Sequence, residues 1–390
     1  MFNQRVRSRL LVILVAANLR AGLGSIPPVL IIVGRDLELS IFELSLLTAI
    51  PLFSYATVPL LYHRVAVRVS IQAIIRFSFL FFALFSMLRL VGNAETLFFG
   101  TLAMAACISL LNVGLPIWIS ELEKTAEAGL VGYFSAAMGF TASIAIAAAA
   151  PLTLLIPGLS WRSALIPWAV LSVVTNLIIW KVSSLKGNLH EVASEQTSNW
   201  NSFLELLANQ KYRGVIVFFA TQSVSTFTIG AWLPTILYDK GFTLVNSGYL
   251  FAISSASGAL LGLVFSRQIL YSSRPEMIAI AASSLTLVGL IGITSDSAVV
   301  LTVMVLVVAV GKFATYALAI HFMVSNSLSI AGKQQLSTAS QVIGYSLAFG
   351  GPVVVGLIYE NSNSWNPGLL MLAGITLVQT YFGFVACKRD

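Results

Sequence analysis

Charge is what this sequence has least of. Asp, Glu, Lys and Arg make up 9% of its 390 residues, where a soluble domain carries about 25%, so a water-facing globular surface is excluded over most of the chain. Cysteine is nearly absent as well. Cys107 and Cys387 stand far apart, inside or at the end of apolar runs, which excludes a disulfide framework and leaves them as packing residues. Long polar segments are missing apart from residues 183–210, which are too few for a catalytic domain. The short loops hold no metal-ligand cluster, nucleophile elbow or nucleotide loop, so neither an enzyme nor a cofactor is expected.

What is present is apolar sequence: 57% of residues are hydrophobic and the mean hydropathy is +0.90. A helix needs about 20 such residues to cross a bilayer. Twelve runs qualify, near 9–33, 43–62, 71–91, 96–119, 128–152, 161–181, 211–238, 245–268, 276–295, 298–323, 334–358 and 366–387. Arg5, Arg7 and Arg9 ahead of the first run imitate a signal peptide, but the run continues past Arg20 without a small-residue cleavage site and is expected to stay as a first helix. The expected fold is therefore an all-α membrane protein with 12 transmembrane helices in two pseudo-symmetric six-helix bundles, residues 1–181 and 211–390. Residues 182–210 form the linker, where Trp200 and Phe203 suit a short interfacial helix.

The net charge of +7 could suggest nucleic acid, yet its distribution follows loop parity. The N-terminus and alternate loops collect Arg5, Arg7, Arg9, Arg64, Arg68, Arg76, Lys124, Lys181, Lys186, Lys211, Arg213, Arg267, Arg274, Lys333, Lys388 and Arg389. The other loops keep Arg35, Arg89, Arg162 and Lys240. By the positive-inside rule, both termini and the linker are expected in the cytoplasm, in the inner (plasma) membrane. The expected partners are then the lipid bilayer and a small substrate, not nucleic acid, with the chain as a monomer.

The halves echo each other, the trace of a parallel repeat. Pro28-Val29-Leu30, a polar turn and Glu43-Leu44-Ser45-Leu46 are matched by Pro234-Thr235-Ile236, a polar turn and Asn246-Ser247-Gly248-Tyr249. Gly132-Tyr133, expected to open the fifth helix, pairs with Gly344-Tyr345, expected to open the eleventh. Small residues at 145–150 before Pro151, and Phe349-Gly350-Gly351-Pro352, allow close packing or rocking of these two helices.

Away from helix ends, the formally charged side chains are Arg20 in the first run and Lys312 in the tenth, with no Asp or Glu at like depth. A charge at the centre of a membrane helix costs about 2.5–3.5 kcal/mol. Such charges pair or line watery cavities, so two cations without an acid point to an anionic substrate as the missing partner. At an effective dielectric near 20, a pair about 4 Å apart gains roughly 4 kcal/mol, enough for millimolar affinity. A structural alternative stays open for each: Arg20 as a clamp on carbonyls freed by Pro27 and Pro28, Lys312 as a snorkelling side chain. Helical spacing sets Tyr316 beside Lys312, Gly24 beside Arg20, Thr226 beside Gln222 and Tyr345 beside Gln341. Asn112, followed by Pro116, is the polar residue midway along the fourth run. Each of these polar residues suits a cavity wall or an interhelical hydrogen bond. His321, near the end of its run, suits a proton relay or a solvated helix end.

The first half contains Asn18-Leu19-Arg20 with Pro27-Pro28, Asn112-Val113-Gly114-Leu115-Pro116, Gly129-Leu130-Val131-Gly132-Tyr133 and Trp161-Arg162-Ser163-Ala164-Leu165. The second half adds Gln222-Ser223, Ala231-Trp232-Leu233-Pro234 and Gln341-Val342-Ile343-Gly344-Tyr345 leading to Gly351-Pro352. Together these stretches resemble the cyanate and nitroimidazole transporter family of the major facilitator superfamily. The resemblance implies alternating access around a central cavity lined by the first, fourth, seventh and tenth helices, with Arg20, Asn112, Gln222 and Lys312 facing it. It departs from the superfamily between the second and third helices, where Tyr62-His63-Arg64 and Arg68 lack the usual glycine and acid.

The sequence thus leads to a secondary transporter for a small anion, either inorganic like cyanate or a small carboxylate. Arg20 and Lys312 are the expected cationic ligands, Asn112, Gln222, Thr226, Tyr316, Gln341 and Tyr345 the polar surroundings, and Pro27, Pro28, Gly351 and Pro352 the hinges. Carrying one negative charge inward against 100 mV costs about 2.3 kcal/mol, so import calls for a co-ion or an exchanged anion. The alternative is a multidrug or nitroimidazole-type exporter of neutral aromatics.

Overall fold

In lipid every backbone N–H and C=O must find its partner within the segment, which leaves helices for long apolar runs. The computed structural model describes residues 2–66, 68–125, 129–181, 200–271, 274–325 and 330–387. Among them the helices are α1 (Phe2–Gly24), α2 (Leu30–Asp36), α3 (Ile41–Ala66), α4 (Ile71–Leu88), α5 (Ala94–Thr125), α6 (Leu130–Leu155) and α7 (Arg162–Lys181). They continue as α8 (Trp200–Ala208), α9 (Gln210–Asp239), α10 (Leu244–Tyr271), α11 (Pro275–Gly292), α12 (Ala298–Ser325), α13 (Ile330–Ser362) and α14 (Asn366–Cys387). A 3-10 turn over Pro27–Val29 joins α1 to α2, and residues 9–36 act as one span.

Eleven spans among the described residues are long and apolar enough to cross a membrane. The 28-residue α10, which occupies the eighth run, reaches about 42 Å at 1.5 Å per residue. Linker residues 182–199 lie outside the described part, while residues 200–208 form the short helix expected around Trp200 and Phe203.

Local chemistry fixes the helix starts. Ser40 and Glu43 form a reciprocal capping box before α3: Ser40 N donates to Glu43 Oε2 (2.8 Å) and Glu43 N to Ser40 Oγ (3.2 Å). Asn209 Oδ1 accepts from the backbone of Lys211 and Tyr212, ending α8 and starting α9 within one residue.

The chain divides into two compact units, Met1–Glu38 with Thr57–Glu195, and Leu39–Ala56 with Gln196–Asp390. A division at the linker alone does not anticipate that α3 is shared, its first part packing with the second unit. Inside each unit the same helix pairs pack most extensively. The first and fifth spans pair as α1 with α6 and α9 with α13; the third and fourth as α4 with α5 and α11 with α12. The third also meets the sixth, as α4 with α7 and α11 with α14. The expected repeat is therefore present in the packing.

Two of its sequence echoes are not matched in position. Pro28 lies in a 3-10 turn that interrupts its span, whereas Pro234 sits inside an unbroken α9. Gly132 and Tyr133 are near the start of α6, but α13 begins at Ile330, so Gly344 and Tyr345 lie near its middle rather than opening it. The expectation failed because the polar residues Lys333, Gln334, Gln335 and Ser337 are helical here.

Candidate functional site

In the first unit, α1 presents its polar residues to opposite sides. At 3.6 residues per turn, positions two apart point about 200° from one another. Asn18 is buried, and its Nδ2 donates to Leu14 O (2.7 Å) and to Thr175 Oγ1 on α7 (2.9 Å). Arg20 is exposed, without a hydrogen bond or ion pair among the described residues. Asn112 on α5 is exposed too, as are Pro116 and Ser120 at the following helical turns.

The clamp on freed carbonyls, one reading left open for Arg20, is made by a different arginine. Pro27 and Pro28 have no N–H to offer Leu23 and Gly24, and Ile26 N turns to Leu23 O at 3.3 Å. Gly22 O thereby loses its usual helical donor, and Arg89 Nη1 supplies one at 2.8 Å. Arg89, the C-cap of α4, is 2% exposed and also approaches Met104 Sδ (3.5 Å). Its charge meets the negative ends of two helices, α1 and α4, which favours a cation there. Its Nε and Nη2 are buried without hydrogen-bond partners among the described residues.

Sequence reasoning placed Arg89 in a loop and so missed a buried cation. Nothing in its own stretch signals burial; Gly22 O becomes available only through the turn ahead of Pro27.

In the second unit, Lys312 lies 14 residues into α12 and is half-buried. Its Nζ donates to Thr226 O on α9 at 3.2 Å, the one polar contact it makes among the described residues. That position, about 20 Å along the helix from either end, rules out the snorkelling alternative. Gln222 is buried and its Nε2 donates to Thr226 Oγ1 (2.9 Å), so the expected pair is formed. Tyr316 is exposed one turn beyond Lys312.

Gln341 bonds back to Ser337 Oγ (3.0 Å), and Tyr345 sits among Tyr55, Phe219 and Phe227 with ring centroids 5.6–5.8 Å away. Gly351 is where α13 touches α9: a Cβ there would collide with Thr228 Oγ1. Trp232 Nε1 donates to Pro352 O (2.9 Å) at the same junction.

Of the four cations on the sparsely charged loops, three hold backbone carbonyls. Besides Arg89, Arg162 Nη2 donates to Gly92 O (3.0 Å), and Lys240 Nζ donates to Thr294 O (3.1 Å), Ser295 O (3.0 Å) and Asp296 Oδ1 (2.8 Å). The Lys240 hydrogen bond, and then its charge, hold the Asp296 carboxyl below the usual carboxylate range.

The family model of the Major Facilitator Superfamily matches residues 12–351. The chain belongs to that superfamily. It is a multi-pass membrane transporter, and the fold expected from its repeat is the superfamily fold. A relative from Bacillus subtilis, described as an uncharacterized transporter, YycB, is 26% identical over 382 residues, covering 96% of this chain and 93% of the relative. The 2-nitroimidazole transporter of Escherichia coli is 26% identical over 380 residues, covering 96% and 94%. Among solved structures, the nucleoside transporter NupG aligns over 100% of both chains with a TM-score of 0.77 at 14% identity. The xylose transporter XylE from E. coli aligns over 99% of this chain and 100% of its own with a TM-score of 0.72 at 12% identity. At such identities the structural likeness speaks for the fold.

Proposed function

We propose that this transporter moves a small anion, cyanate-like or a small organic carboxylate, across the inner membrane by alternating access. Arg20 and Lys312 act as its cationic ligands, one in each unit, with Asn112, Gln222, Thr226, Tyr316, Gln341 and Tyr345 as polar and aromatic surroundings. Pro27, Pro28, Gly351 and Pro352 are the hinge positions. The termini are cytoplasmic, as the loop charges argue, and the chain works as a monomer.

The observation that carries the reading is Arg20: a permanently charged side chain inside an apolar span, exposed and without a partner among the described residues. Lys312 supports it, since a single carbonyl contact leaves its charge without a counter-ion. The test is binding and flux of an anion panel in proteoliposomes, comparing the native chain with Arg20→Lys and Lys312→Ala. Selective loss of anion uptake in both supports the assignment, and normal uptake in both removes it.

One observation favours a second reading, export of flat neutral compounds. The aromatic residues around Tyr345 offer edge and face contacts of the kind a planar ring uses, and one relative is a 2-nitroimidazole transporter. A thermal-shift screen separates the two, because a ligand that binds only the folded state raises its apparent stability. Stabilisation by 2-nitroimidazole and by none of the anions selects the exporter.

A further inference from the structure

Lys312 differs from Arg20 in a way that bears on how an anion could be moved uphill. A guanidinium keeps its proton in proteins, whereas an amine can give one up. The Lys312 ammonium has three N–H donors, and the described residues offer it one acceptor, Thr226 O. The neighbouring polar groups are already engaged: Thr226 Oγ1 accepts from Gln222, and Gln222 Oε1 accepts from Ser223 Oγ at 3.4 Å.

Fixed charges on the packed helices are distant along the chain. On α9, Lys211, Tyr212 and Arg213 occupy the first turn and Tyr238 and Asp239 the last; Arg213 and Asp239 are each 13 residues from Thr226, about 20 Å along the axis. On α11, Glu276 is in the first turn, after the N-cap Arg274. On α13, Lys333 is near the start and Tyr359 and Glu360 near the end, with the neutral phenol of Tyr345 between. On α10, Tyr249 is near the start, and the side chains of Arg267 and Tyr271 lie outside the described residues. Tyr316 and His321 follow Lys312 on α12 itself. Among the described residues of these helices, no carboxylate takes the place of a counter-ion beside Thr226.

We propose that Lys312 is the proton-coupling group of the anion transporter, so that each anion moves together with one proton as a neutral pair. The inference rests on the anion reading above. On the loading side the amine lone pair takes a proton, and the ammonium formed donates its free N–H groups to the anion. On the other side the anion leaves, the ammonium releases that proton, and the amine returns neutral. Proton and anion strengthen each other's binding by the same factor, as linkage requires, and the pair carries no net charge against the membrane potential.

The test uses the full chain in proteoliposomes, with labelled cyanate and labelled acetate as probes, an enclosed pH dye and the potential clamped by a potassium ionophore. Initial rates are read above those of protein-free vesicles. The native chain is expected to bring in one proton per anion, to speed up several-fold when the outside is acidified, and to ignore the imposed potential. Lys312→Arg, which keeps the charge and cannot release a proton, is expected to retain anion binding while uptake becomes driven by potential and indifferent to pH. Potential-driven uptake by the native chain, or unchanged proton coupling in Lys312→Arg, overturns the proposal and leaves the anion reading standing. If the native chain takes up neither probe above background, both fall. Should Lys312→Arg fail to fold, the proton count and potential dependence of the native chain decide the question alone.

Discussion

Arg20 and Arg89 lie in the same unit and differ in burial and in what their guanidinium groups meet. Arg89 is buried, caps a carbonyl released by the turn before Pro27, and rests between two helix C-termini. Arg20 belongs to the same helix as that carbonyl, two residues earlier, yet is exposed and unpartnered among the described residues. A membrane arginine is thus assigned by what its N–H groups meet, and its depth in the sequence is a poor guide. The comparison extends to the second unit, where Lys312 is intermediate, with one carbonyl contact and capacity for more.

The sharpest way to break the contrast is to remove each arginine. Arg20→Ala is expected to weaken anion affinity by roughly tenfold to 150-fold, the equivalent of about 1.5–3 kcal/mol for a hydrogen bond to a charged group. Stability should stay within about 0.5 kcal/mol, as for an unpartnered exposed side chain. Uptake kinetics and thermal unfolding on the same samples check both halves of the statement. Arg89→Met should do the reverse, lowering stability by about 1–3 kcal/mol because Gly22 O loses its short charged donor and keeps only Ser25 Oγ at 3.4 Å. Its effect on anion affinity should be smaller than that of Arg20→Ala.

Asn18→Ala tests the opposite face of α1. Losing the bond to Thr175 should destabilise by about 0.5–1.5 kcal/mol while leaving anion affinity unchanged in a binding assay. The smallest effect is expected at Asp296, whose carboxylate is exposed and held by Lys240. Its ionised form is favoured in the folded protein, so its small contribution is present at neutral pH and is lost only as pH falls through the lowered value. Asp296→Asn should therefore leave the unfolding temperature unchanged, since Lys240 keeps the carbonyls of Thr294 and Ser295.

Much of the architecture was readable because apolar length encodes one thing, the crossing of a bilayer. Gln222 with Thr226 followed from helical spacing, since both partners lie on one helix. Contacts between helices were not readable. Arg89 meets Gly22 and Asn18 meets Thr175 across separations of 67 and 157 residues, and no local pattern reports such pairs. Gln341 shares a helix face with Tyr345, but its bond to Ser337 Oγ was not readable, because a side chain on a helix face can turn either way and packing chooses between them. The prolines show the same limit: Pro28 and Pro234 look alike in sequence, but Pro28 follows another proline in a 3-10 turn, while Pro234 is absorbed into α9.

Arg20 as an anion ligand is tested most directly by comparing acetate with acetamide, its neutral isostere, in equilibrium binding to the purified protein. The native chain is predicted to bind acetate at least about tenfold more tightly, one charge-assisted contact being worth that much, and Arg20→Ala to lose most of that preference. Equal binding of the two by the native chain, or a preference undiminished in Arg20→Ala, would contradict the account.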